Sequence, residues 1–118
     1  MTKTTIDYVS EKTRELMAAS SCCRDAKAAA QAWLAAVGTA DEKTETERYL
    51  AELAEDVVPI DGLIAYAASD SAKAYFGAEA AAGLLAHARE IKANGAKFCD
   101  CPACTAALAI LDKKVEML

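Results

Sequence analysis

Residues 21 to 39 read SCCRDAKAAAQAWLAAVGT, and their reading decides the fold. Cys23, Ala26, Ala30, Trp33, Leu34 and Val37 recur at intervals of three and four, which places them along one face of an α-helix. Ser20 or Ser21 offers an N-cap, and Gly38 supplies a stop. No part of the stretch follows the two-residue period of a half-buried strand.

The same period extends in both directions. Upstream, a helix is expected from about Thr5 to Ala19, with Ile6, Val9, Thr13, Leu16 and Met17 inward. Downstream, Thr39 and Glu42 have the spacing of a capping box for a helix that buries Tyr49, Leu50, Leu53 and Val57. Pro59 ends that helix or begins a shorter one through Ile60, Leu63, Ile64 and Ala67. Asp70 or Ser71 restarts a turn reaching Phe76 and Gly77. Ala78 to Ala93 then presents Ala81, Leu84, Leu85, Ala88 and Ile91 until Asn94 and Gly95 close it. A last helix begins near Pro102 and repeats Cys104, Leu108, Leu111, Val115 and Leu118.

With 29 alanines, two prolines and short connections, the chain is expected to be all-α. The expected architecture is a compact bundle of five or six short antiparallel helices, forming a single helical domain over residues 1 to 118. Alanine lets helix axes approach closely but buries little area per residue. The larger residues Trp33, Phe76, Tyr8, Tyr49, Tyr66 and Tyr75 are therefore expected to fill the gaps.

The net charge of -5 offers no clustered Lys and Arg for a phosphate backbone, which excludes a nucleic-acid groove. The imbalance is local: DEKTETERYLAELAED, residues 41 to 56, holds seven acids against two bases and reads as a solvated helix face. No apolar leader opens the chain, and no uncharged stretch reaches the ~18 residues of a membrane span. A cytoplasmic protein, with no membrane partner, is the expectation.

In a reducing compartment, five cysteines are better read as metal-binding or reactive than as a disulfide framework. Three of them lie in AKFCDCPACTAALAIL, residues 96 to 111. Proline suits the first helical position, which makes Cys101 the N-cap and Cys104 the third residue of the helix. Both sulfurs then face unsatisfied backbone N–H groups that favour thiolate. Cys22 and Cys23 stand at another helix start. If successive helices alternate direction, both starts lie at one end of the bundle. Cys22, Cys23, Cys99, Cys101 and Cys104 are thus the candidate metal ligands, with Cys22 ahead of Cys23 in completing a four-sulfur site.

Such a site suits zinc or an iron-sulfur cluster, and copper(I) accepts three thiolates. Its role would be structural or sensing, since no general base is placed for catalysis. Two alternatives stand beside this reading: thiol-disulfide exchange through Cys101 and Cys104, and a helical protein-interaction domain whose cysteines are small buried hydrophobes. His87, the single histidine, is expected at the edge of the core. Asp25, Asp56 and Asp61 lack the Glu-x-x-His companions of a di-iron bundle. Alanine-rich faces leave a homodimer open.

CPAC, residues 101 to 104, resembles the CPxC motif of glutaredoxins, a resemblance that implies an attacking Cys101 and a resolving Cys104. The chain departs from those proteins in offering no strand and no later proline. Over nearly its full length, the combination of SCCRDAKAAAQAWLAAVGT, PIDGLIAYA and AKFCDCPACTAALAIL is similar to short helical proteins of anaerobic bacteria, some of which carry the name of the chaperone Hsp90. That resemblance implies surroundings in which iron-sulfur or reduced-thiol chemistry is easily sustained. The sequence itself has neither the length nor the glycine-rich lid of an ATP-binding chaperone.

Overall fold

A computed structural model describes all 118 residues, and its only regular elements are helices. There are eight: α1 (Lys3–Ala18), α2 (Arg24–Ala36), α3 (Glu42–Asp56), α4 (Ile60–Ala67), α5 (Asp70–Phe76), α6 (Ala78–Ala93), α7 (Pro102–Leu111) and α8 (Lys114–Met117). The count exceeds the expected five or six for two local reasons. Ser69 caps α5 through its side chain, so the restart after α4 becomes a helix of its own. The final helix breaks at Asp112 and Lys113, which resets the register: Met117 is buried, while Val115 is 88% and Leu118 60% exposed.

The chain divides into two compact units, Met1–Val57 with Asp100–Leu118, and Val58–Cys99. In the first, α7 packs on α1 and α3, and α2 packs on α3 and α1. Their shared core holds Val9, Leu16, Trp33, Tyr49, Leu53 and Ile110, with Ala26 and Ala30 allowing close approach. Trp33 and Tyr49 stack at a tilt with ring centroids 5.7 Å apart.

Each buried polar group among them has its partner. The Trp33 indole N–H donates to Thr46 Oγ1 at 3.0 Å, and the Tyr49 and Thr13 hydroxyls share a 2.9 Å hydrogen bond. The predicted inward face of α3 is observed in full, with Thr46 added to it. Thr39, expected to cap α3 directly, instead bonds the Ala36 carbonyl and the Asp41 N–H, while Glu42 reaches back to the Gly38 N–H at 3.1 Å. Gly38 has φ +81°, a left-handed turn that a side chain would strain.

Burial pushes the Tyr49 hydroxyl up to about 12 against the Thr13 hydrogen bond, with the Cys22 charge adding slightly. The unfolded chain releases this proton near pH 10 and the folded chain near 12, so stability present below pH 10 is lost as pH rises between them. The difference corresponds to about 2.7 kcal/mol. Tyr49→Phe is expected to flatten that alkaline loss in urea titrations at about pH 9, 10.5 and 11.5. At neutral pH the same change costs about 1 kcal/mol through the lost hydrogen bond.

The second unit packs α4 and α5 on α6 and buries Ile60, Leu63, Ala67, Ala72, Ala81 and Ala88. Its rings are not core fillers, contrary to expectation: Tyr66 is 43%, Tyr75 79% and Phe76 46% exposed. They cluster edge to face instead, Tyr75 against Phe76 at 4.8 Å and Tyr66 against Phe76 at 6.4 Å. The reason lies in length, because α4 and α5 are too short to enclose them. His87 is on the exposed side of α6 instead of at a core edge.

The two ends of this unit meet. Cys99 N–H donates to the Val58 carbonyl at 2.8 Å, and Ile60 N–H donates to the Lys97 carbonyl at 2.9 Å. Between these bonds Pro59 faces Phe98 in an isolated antiparallel bridge. That is the non-hydrogen-bonded pair of an antiparallel ladder, lying between two widely spaced bonds, so the missing N–H of Pro59 costs nothing.

Candidate metal centre

Cys99, Cys101 and Cys104 are brought together: their three sulfur atoms all lie within 4.8 Å of one another. Cys99 and Cys104 are buried and Cys101 is half-buried. Each is placed by a different local device. Cys99 hangs from the backbone bridge to Val58. Cys101 is the N-cap of α7, in extended conformation, and its Sγ accepts the Cys104 N–H at 3.3 Å. Cys104 occupies the third helical position, where the first turn of α7 turns its side chain back toward the cap.

The helix start itself is fully provided for. Pro102 has no N–H, Ala103 N–H donates to Ser21 Oγ at 3.3 Å, and Thr105 N–H donates to the Cys101 carbonyl at 2.8 Å. Thr105 Oγ1 also donates to the Asp100 carbonyl at 3.1 Å. Metal binding requires the thiolate, which accepts an N–H at such a helix start more strongly than a thiol does.

Ser21 is therefore a cap for α7 across 82 residues of sequence, where the sequence suggests a cap for α2. The cap of α2 is Cys23, whose Sγ accepts the Ala26 N–H at 3.4 Å, and which is exposed instead of lying in the buried register of that helix. Cys22 precedes this cap. Its sulfur lies beside a carbonyl, that of Cys23 at 3.5 Å, where a protonated thiol donates. Burial pushes the Cys22 thiol up, the charges of Cys23, Asp56 and Cys101 adding to the effect and that of Lys27 opposing it. The two members of the CC pair thus differ in kind: one finishes a helix, the other is a half-buried thiol near the start of α7.

Asp56, the last residue of α3, is the feature that spacing alone does not single out. Its Oδ2 is cut off from solvent and has no hydrogen-bond partner. The adjacent Glu52 is raised by its own desolvation, by a hydrogen bond with Asp56, and by the charges of Asp56, Asp25 and Glu55. The available signal was the position of Asp56 at a helix C-terminus, where a carboxylate is disfavoured by the dipole and so calls for a reason.

No helix is long and apolar enough to cross a membrane. No family model, curated protein or solved structure matches the chain.

Proposed function

We propose that the chain is a soft-metal-binding helical module that holds one ion, zinc by preference, through Cys99, Cys101 and Cys104. The observation that carries this reading is the mutual approach of the three sulfurs to within 4.8 Å. Zinc bound at about 2.3 Å to each of several thiolates in tetrahedral geometry sets them about 3.8 Å apart, so closure by about 1 Å or less suffices. A [4Fe–4S] cluster places each thiolate on a different iron and a [2Fe–2S] cluster divides them between two irons, so either spreads three sulfurs farther than one ion does. The tight triad therefore supports a single ion over a cluster.

The role is structural or sensing, with the ion holding the start of α7 and the segment leading into it. Cytoplasmic surroundings would keep the thiols reduced for it. Metal analysis of protein purified under reducing conditions is expected to give about one zinc per chain and no visible absorption. A brown product with iron and sulfide would reverse the choice of ion, and a metal-free chain that takes up none would overturn the reading.

Thiol-disulfide exchange by Cys101 and Cys104 is the second reading, favoured by the same closeness of their sulfurs and by the acceptor role of Cys101 Sγ. It requires Cys101 to be alkylated fast near neutral pH in the protein as purified. The metal reading requires protection of both cysteines until a chelator is added.

A further inference from the structure

Three sulfurs leave one corner of a tetrahedral site to fill, and two side chains compete for it. Cys22 follows Ser21, whose hydroxyl holds the Ala103 N–H. Its thiol is within electrostatic reach of Cys101. Asp56 is two residues before Val58, the carbonyl of which holds the Cys99 N–H at 2.8 Å. Two residues span at most about 7 Å of chain, so Asp56 keeps its backbone close to that hydrogen bond. Its charge also reaches Cys22.

The competitors differ in what they lack. The Cys22 thiol already has an acceptor in the Cys23 carbonyl. Asp56 has no such settlement, because Glu52 hydrogen-bonds the carboxylate yet Oδ2 remains shut off from water with no donor. A buried carboxylate oxygen left unpaired is costly, and a cation beside it removes that cost. A fourth thiolate next to the unpaired oxygen would add to the cost instead.

On the reading that the three cysteines hold a metal ion, we infer that Asp56 supplies the fourth ligand through Oδ2, by rotation of its side chain onto the triad. The site is then three sulfurs and one oxygen, and Cys22 remains outside it. Oxygen ligation turns selectivity from copper(I) toward zinc, because copper(I) prefers an all-sulfur shell.

Cobalt(II) added to the metal-free, full-length chain tests this, since its near-ultraviolet charge-transfer intensity scales with the number of bound thiolates. The expected spectrum is tetrahedral with the intensity of three thiolates, and Cys22→Ala leaves it unchanged. Asp56→Asn is expected to weaken cobalt binding at least about tenfold, with Asp56→Glu recovering part of the loss and helical circular dichroism showing both variants folded. A quarter of the intensity lost in Cys22→Ala, with Asp56→Asn binding normally, would overturn the assignment and make Cys22 the fourth ligand. Failure of the unmodified chain to bind cobalt would overturn the metal reading beneath it.

Discussion

Zinc at about a hundredfold excess over its dissociation constant is expected to raise the melting temperature of the metal-free chain by roughly 10 °C. Mass action supplies about 2.7 kcal/mol at that ratio, and each kcal/mol moves a domain of this size by about 4 °C. Two cysteine variants separate ligation from other roles. Cys101 and Cys23 are both N-caps, their sulfurs accepting from Cys104 and Ala26 N–H at 3.3 and 3.4 Å. Each should therefore lose at most about 1 kcal/mol of metal-free stability on change to alanine, since a thiol caps more weakly than a hydroxyl or carboxylate. Their response to zinc should differ: Cys23→Ala keeps the full thermal shift, while Cys101→Ala loses nearly all of it. Scanning calorimetry with and without zinc reads both effects. Equal shifts in the two variants would remove Cys101 from the ligand set.

Trp33→Ala is the substitution expected to cost most in folding free energy. The side chain is fully buried, stacks on Tyr49 and donates to Thr46. Emptying such a site costs about 3–5 kcal/mol, against a total stability of about 5–15 kcal/mol for an ordinary domain. Among the alanines Ala26, Ala30 and Ala36 there is little side-chain volume that could collapse into the space. Trp33→Phe retains most of the bulk but leaves Thr46 without its donor, which costs about 1–3 kcal/mol. Urea denaturation followed by far-ultraviolet circular dichroism should rank the two variants in that order. A loss below about 1 kcal/mol for Trp33→Ala would contradict this packing.

The helices were legible because their signals are local. Val9, Thr13 and Leu16, or Tyr49, Leu50 and Leu53, identify a buried face by spacing alone, and Gly38, Gly77 and Gly95 mark turns with positive φ. The ring cluster was not, since Tyr66, Tyr75 and Phe76 sit at helical spacing but on helices of eight and seven residues. Spacing says which side chains share a face; it does not say whether another element covers it. The break at Asp112 carries no proline or glycine to announce it, so spacing places Val115 and Leu118 in a register that the chain has already left.

In the candidate site, the triad was legible because Cys99, Cys101 and Cys104 lie within six positions of one chain segment and Pro102 fixes the helix start. Long-range partners were not. Ser21 caps α7 and Cys23 caps α2, and since hydroxyl and thiol both suit an N-cap, local chemistry could not choose between them. Asp56 has no distinguishing neighbour in sequence. Its unpaired oxygen exists only after α3 has packed.

The bridge between Pro59 and Phe98 also makes everything from Val58 to Cys99 a cassette with touching ends. Segments attached in this way can be exchanged or resized while the flanking polypeptide is spliced across a short gap. A shortened chain joining residue 57 to a tight hairpin would preserve the path into α7, provided the graft ends in a cysteine.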